Sequence, residues 1–367
     1  GKLSEDTAAL ARIKQARAVV TNADDHGNAT CTLMVREHGF TGPIYALAEE
    51  PIYRPPMLQI GATEVFTPAH VLGGALASRA STRISPPAEG LSLLGHDVGM
   101  IEFRIRPNSP LSGQLLGDLH LQGIRGVSVI GQWREGVFTT AKGPNTRIEP
   151  GGILVVVGPQ QRLEAVERMA MPIRRTGPII IVGYGTVGQK VGEMLRDAGE
   201  ACTVIDIKPG PGVDIVGNVL DSGTLERARV KESGALILAL NDDSEAVFAT
   251  AALHEYAPEA PLIVRVNRTP NIERIYRAGA DFAISLGQVA CQILSYHLLD
   301  EQVLPVENRI KFSCTIPGSL VGSRPWNNEA LDQTGVRIVA VERGHEVIVE
   351  FSDEFRLQAD DTLYLCG

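Results

Sequence analysis

The sequence predicts an α/β protein made of two tandem copies. Each copy is a parallel sheet with helices on both faces, followed by a small α+β module. Three observations carry that expectation. A strand, a glycine turn, a helix and a second strand run in succession from Pro178 to Lys208. Short apolar runs alternate with helically spaced ones along most of the chain, as in parallel sheets. The chain also matches itself at a nearly constant separation, the mark of a duplication.

The glycine turn is the most specific element. The apolar run Ile179 to Val182 enters Gly183-Tyr184-Gly185-Thr186-Val187-Gly188, and a second apolar run, Cys202 to Ile205, ends in Asp206. In such a turn Gly183 permits the tight bend, Gly185 lets the backbone approach a pyrophosphate, and Gly188 lets the helix pack close to the strand. The helix start offers free N–H groups and the positive end of its dipole to phosphates. Asp206 lies 18 residues past Gly188, where a carboxylate can accept hydrogen bonds from ribose hydroxyls. Its charge argues against a ribose 2′-phosphate. Lys208 two residues on softens that argument, or is simply a solvated loop lysine. The unit is Rossmann-like, and the expected ligand is a dinucleotide or adenine nucleotide.

The repeats follow in order. Ala16 to Val20, with Asp24-Asp25 after it, matches Ser233 to Ile237, with Asn241-Asp242 after it, at an offset of 217. Ile60-Gly61-Ala62 and Phe66 match Ala278-Gly279-Ala280 and Ile284 at 218. Leu111-Ser112-Gly113 matches Leu320-Val321-Gly322, and Pro150-Gly151-Gly152 matches Ala359-Asp360-Asp361, both at 209. The expected units are a first lobe at 1–83, a first small module at 90–170, a second lobe at 178–304 and a second small module at 305–367. Ile84 to Glu89 and Arg174 to Pro178 read as linkers. Copy one opens opposite about Gly217, so roughly forty residues, including any first glycine turn, are expected to be missing from it. That points to a cut chain or to a partner half elsewhere.

The 367 residues allow two or more domains, and 44% apolar residues suffice for real cores. A net charge of −9 weighs against an electrostatic hold on nucleic acid or anionic lipid. The five cysteines are scattered with no C-x-x-C pair, the pattern of reduced thiols in a cytosol. There is no signal-peptide pattern. The longest apolar runs, such as Ile153 to Val157, are far too short to span a bilayer. Met194 to Ala198 and Val289 to Leu299 have helical apolar spacing and are expected to pack in cores or interfaces.

Together these residues resemble the RCK domain (regulator of K⁺ conductance, also called KTN) over nearly the whole chain. The elements are the glycine turn, Asp206, Gly217-Asn218, the strand Ala235 to Leu240 with Asn241-Asp242-Asp243, then Val264-Arg265-Val266, Ala278 to Asp281, and a small module ending in Asp360 to Leu363. The resemblance implies tandem RCK domains, each with a TrkA-C-type module. Such chains form the cytosolic gating ring of a prokaryotic potassium channel or the peripheral subunit of a Trk-type uptake system. It implies NAD(H), ADP or ATP as ligand, a membrane K⁺ pore as partner on the same or a separate polypeptide, and a homo-oligomeric ring. It implies no nucleic acid, no membrane insertion by this chain, and a cytoplasmic place beside the cell membrane.

Carried over by position, the glycine turn would take the phosphates, and Asp206, with Ile207 and Lys208 after it, the ribose. Asn218 and Val219 would lie by the adenine, Asn218 standing where members often carry Asp. Leu240 and Asn241 would sit near the second phosphate or the nicotinamide. Arg265 would approach the phosphates, or be a plain surface strand arginine. In copy one the matching positions are Ala23, Asp24 and Leu47, which makes no site wholly within that copy.

No G-x-S-x-G, H-E-x-x-H or G-x-x-x-x-G-K-[ST] motif occurs. The eight dispersed histidines read as surface or capping residues, Asp242-Asp243 as a solvated loop rather than a cation site, and Asp360-Asp361 as a turn. His120 and Trp133 fall in the first small module and read as packing residues by default, with a ligand as the alternative. The main reading is a non-enzymatic nucleotide sensor. The alternative is an NAD-dependent oxidoreductase, which would need a substrate domain with an acid/base group near the nicotinamide.

Overall fold

The computed structural model describes residues 12–81, 84, 98–105, 109–116, 127–134, 137–141, 145–170, 177–299, 312–325, 331, 336–344, 346–348, 351–352 and 354–366. Gly1, most of both expected linkers, His96, His120 and His345 lie outside them. The chain divides into two compact units, residues 1–85 with 176–307 and residues 86–175 with 308–367.

In chain order the first lobe holds β1 (Val19–Thr21), α1 (Asp25–Glu37), β2 (Ile44–Leu47), α2 (Arg54–Gln59), β3 (Glu64–Phe66) and α3 (Pro68–Ala80). A small module follows with β4 (Val98–Arg104), β5 (Ser128–Arg134), β6 (Val137–Thr140), β7 (Ile153–Pro159) and α4 (Gln160–Ala170). The second lobe holds β8 (Ile179–Val182), α5 (Thr186–Asp197), β9 (Cys202–Asp206), β10 (Ile215–Val216), α6 (Ser222–Arg227), β11 (Ala235–Leu238), α7 (Asp243–Tyr256), β12 (Leu262–Val266), α8 (Ile272–Arg277), β13 (Phe282–Ser285) and α9 (Leu286–Leu299). The last module has β14 (Phe312–Thr315), β15 (Arg337–Arg343), β16 (Glu346–Ile348) and β17 (Thr362–Cys366).

The first unit contains a six-stranded sheet in the order β10-β9-β8-β11-β12-β13 and a three-stranded sheet in the order β1-β2-β3. Every pairing in both is parallel. Every residue of β8 and β11 is buried, which is why these strands read as unbroken apolar runs rather than alternating ones. The core beside them gathers Ile180, Val182, Leu236, Leu238 and Val264 against Ala246, Ala249 and Leu253 of α7.

The second unit contains two antiparallel four-stranded sheets of identical order, β4-β7-β5-β6 and β14-β17-β15-β16. Trp133 is buried there as expected, beside Phe138 and Glu102. Asp360-Asp361 is more than a turn: the buried Asp361 carboxylate accepts from Arg343 Nε at 2.7 Å and Nη2 at 2.8 Å.

The duplication extends to fine detail. Arg12 and Arg229 both take left-handed backbone angles, φ 49° and 53°, just before matching short turns. The strand irregularity between Val129 and Gly131 recurs between Ile338 and Ala340. One pairing from the sequence is corrected. Asp24 caps α1 through the Gly27 N–H at 2.7 Å, and Asp242 caps α7 through the Glu245 N–H at 3.0 Å. Asp24 therefore matches Asp242, not Asn241. The offset moves from 217 to 218 in the loop between strand and helix, where an extra residue disturbs neither element.

The apolar helices at 71–76 and 289–299 are seated against the twin lobe of the same chain. α3 lies against α5 and across β11, β12 and β13, and α9 lies against α3. The Tyr45 hydroxyl donates to the His297 carbonyl at 3.3 Å, and the His297 ring lies 4.6 Å from that of Phe66. At the matching place in the other half of this seam, Arg79 lies over Phe282 at 4.4 Å. His297 is thus a seam residue rather than a surface one. Among the described residues no helix is long and apolar enough to cross a membrane.

Candidate functional site

The order of the six-stranded sheet reverses between β8 and β11. There, loops from neighbouring strands turn to opposite faces and leave a crevice at the carboxyl ends of the strands. The glycine turn sits at that point. Gly183 has φ +90°, which suits glycine alone, and its N–H donates to Ile205 at 2.9 Å. A side chain at Gly188 would collide with the Gly183 carbonyl oxygen. A Cβ at Gly185 would instead find only the Asn241 amide, at 3.6 Å. The space above Gly185 is open, and Asn241 forms its far wall. No side chain caps the start of α5, so its leading N–H groups are left for an anion.

Asp206 is held at the rim. Its Oδ2 accepts the Tyr184 N–H at 2.7 Å and its Oδ1 accepts the Lys208 N–H at 2.8 Å. Two amides orient the carboxylate, and lone pairs remain for a sugar hydroxyl. The Tyr184 side chain turns away: its hydroxyl accepts from Arg196 Nη1 at 3.0 Å. Thr186 and Val187 form the first turn of α5, with Val187 buried. Ile207 and Lys208 are exposed. Asn218 is exposed and its Oδ1 accepts the Leu220 N–H at 2.9 Å, whereas Val219 is part of the core. Only the backbone of Val219 is therefore on offer to a ligand. Leu240 is half-buried against the same core.

Arg265 is not a surface arginine. It is 9% exposed at the end of β12, donating through Nη1 to Asn241 Oδ1 at 2.6 Å and through Nε to Asn267 Oδ1 at 3.1 Å. Burial lowers its pKa from the ordinary value, opposed by Asp243 and by Glu49 of the first lobe. Its hydrogen-bond partners among the described residues are neutral amides, so a buried cation faces the crevice without a bonded carboxylate.

Asp243, read from the sequence as solvated, organises this end of the site. It accepts the Asn267 N–H at 2.7 Å, Asn267 Nδ2 at 3.1 Å, the Arg268 N–H at 3.0 Å and Asn271 Nδ2 at 2.7 Å. Burial alone would raise its pKa, but these donors outweigh it and hold the carboxyl below the usual carboxylate range. Sequence reasoning missed Asn267 and Asn271. The only signal was a pair of asparagines just past a strand end. Among the described residues no group of three His, Cys, Asp or Glu is placed to hold a metal ion.

The first lobe differs at the same place. Asn28 donates to the Ala23 carbonyl at 2.9 Å and the Leu47 carbonyl at 2.7 Å, and accepts the Ala23 N–H at 2.6 Å. It ties the strand ends together where the second lobe is open, and Leu47 stands in place of Arg265.

An open glycine cradle, an uncapped helix start, an oriented carboxylate and a buried cation fit a phosphate-bearing nucleotide. Residues 179–286 match the TrkA-N domain and residues 100–171 the TrkA-C domain. The chain thus carries the two domain types of RCK/KTN proteins. It is 20% identical over 207 residues to potassium channel protein 1 of Methanocaldococcus jannaschii, covering 51% of this chain and 62% of that one. It is 28% identical over 145 residues to Ktr system potassium uptake protein A of Vibrio alginolyticus, covering 40% and 63%. The chain thus spans less than two thirds of these curated relatives. Among solved structures, the GsuK RCK domain is similar with a TM-score of 0.56 and 26% identity, over 97% of this chain and 79% of that one. The GsuK channel bound to NAD is similar with a TM-score of 0.54 and 26% identity, over 97% and 65%.

Proposed function

We propose that this chain is the regulatory module of a potassium transport system and senses NAD(H) or an adenine nucleotide in its second lobe. The observation that carries the reading is the open, uncapped start of α5 facing Asn241 and Arg265 across the switch point. Gly185, Thr186 and Val187 would present backbone N–H groups to the phosphates, Arg265 would answer their charge, and Asp206 would accept from the ribose. The nucleotide supplies binding energy, and no bond is made or broken on it. Similarity to a channel bound to NAD and to potassium channel and uptake proteins supports the ligand class and the transported ion.

The partner in this reading is a membrane K⁺ pore, on the same polypeptide or another, with several copies of the module forming a ring at the cytoplasmic face. The module works by differential affinity: a ligand moves the ring only as far as it binds one state better than the other. Calorimetry with NADH, ADP and ATP tests the site. Gly185→Val is expected to abolish binding, and Asp206→Ala to cost on the order of 1.5–3 kcal/mol, the worth of hydrogen bonds to a charged acceptor. Unchanged affinity in both variants would overturn the assignment.

A further inference from the structure

We propose that Gly73 of the first lobe is a positioning residue for the phosphate cradle of the second, and that nucleotide occupancy reaches the first lobe through the helix pair it forms. The proposal rests on the nucleotide reading of the glycine turn. α3 and α5 run side by side in the same sense: Gly73 faces Val187 and Lys190, Gly74 faces Met194, and Ser81 at the end of α3 donates to Glu200 just past α5. A Cβ at Gly73 would lie 3.0 Å from the Lys190 Cβ and 3.3 Å from the Val187 carbonyl oxygen. Val187 is in the first turn of α5, the turn whose N–H groups face the crevice. A side chain at 73 is therefore tighter than ordinary contact, and either Lys190 or the Val187 turn of the cradle must give by a few tenths of an ångström, the more so for a branched side chain.

Gly74 makes the comparison. A Cβ there meets only the flexible end of Met194, at 3.5 Å and 3.6 Å, which is ordinary contact. The residue matching Gly73 in α9 is Cys291, so the repeated helix does not itself demand glycine at this position. A glycine in mid-helix lowers helix stability, so the local sequence gives no reason for it, whereas the close approach to α5 does.

Hydrogen–deuterium exchange on the full chain, with and without saturating ADP, tests the idea. In the wild type, ADP is expected to slow exchange in residues 186–197 and also in 68–80, which carry no nucleotide-facing group. In Gly73→Val the protection of 68–80 should vanish and ADP affinity fall about tenfold or more, while Gly74→Ala behaves as wild type. Gly73→Ala should lie between, and it decides the matter if the valine variant does not fold. Protection of 186–197 without 68–80 in the wild type would overturn the coupling and leave the nucleotide reading intact. Unchanged ADP affinity in a folded Gly73→Val would overturn the positioning role. Protection in neither segment would bring down both readings.

Discussion

The Asp243 carboxylate accepts the backbone N–H of Asn267 at 2.7 Å, and 218 residues earlier Asp25 accepts that of Glu49 at 2.8 Å. The same bond in both copies ties the start of a helix to the end of the neighbouring strand, so it belongs to the scaffold. What differs is built on it. In the second copy Asn267 also holds Arg265 toward the crevice. In the first copy Glu49 and Leu47 occupy the two places, and Asn28 closes the strand ends. The frame recurs in both copies, and the candidate site is built on the second.

Asp243→Ala should therefore injure both frame and site. It removes the acceptor of two backbone amides and of the Asn271 side chain, while Asn267 Nδ2 keeps the Asn241 carbonyl, at a cost on the order of 2–3 kcal/mol in urea unfolding. Because its folded pKa is depressed, the stabilising effect is present above the unfolded carboxyl value and is lost as pH falls through the folded one. The variant should show a shallower acid limb than the wild type. An identical acid limb would contradict the assignment.

Arg265→Leu, which installs the first-lobe residue, separates site from frame. Loss of a charge-assisted phosphate contact should weaken ADP or NADH by about tenfold or more, about 1.4 kcal/mol. Urea stability should fall little or even rise, because a buried cation without a bonded carboxylate is replaced by an apolar group. Calorimetry and unfolding on the same preparation check this. A large stability loss with unchanged affinity would mark Arg265 as a structural residue.

The glycine turn was legible because two of its glycines, Gly183 by its φ and Gly188 by its approach to the Gly183 carbonyl, answer steric demands that other residues cannot meet. The strands of the sheet were legible because burial on both faces leaves unbroken apolar runs. Arg265 was not, since a strand position says nothing of what covers it. Asp243 was misread because its donors lie 24 to 28 residues away, beyond any local pattern. Asp361 looked like a turn residue because Arg343, 18 residues earlier, is not a sequence neighbour. The seam against α5 was out of reach, because nothing near Gly73 announces Lys190 and Val187.

The seam should respond to pH through His70. Burial first, then the Lys190 charge, hold its pKa below 6.5, with Glu193 opposing. The folded state thus favours the neutral imidazole, and the unfolded chain binds more protons in the window just below 6.5. Stability should be full above that value and be lost as pH falls through the window. Thermal melts between pH 7.5 and 5 should show this slope, reduced in His70→Gln. Equal slopes would show that the imidazole is not read by the seam.

The last expectation concerns transport. A ligand that binds one arrangement of a ring tenfold better than another shifts it by about 1.4 kcal/mol, enough to move a balanced gate substantially. The crevice between β8 and β11 is where such a difference would arise, because α5 would supply the phosphate cradle and also touches the first lobe at Gly73. With the module and its pore reconstituted in liposomes, K⁺ flux should change on adding NADH, ADP or ATP. Gly185→Val should abolish the response by removing the ligand. Gly73→Val should blunt it even at nucleotide concentrations raised to restore occupancy, since in that variant the cradle and the first lobe no longer move together. Flux indifferent to all three nucleotides, or oxidation of NADH in step with a second substrate, would contradict a regulatory role.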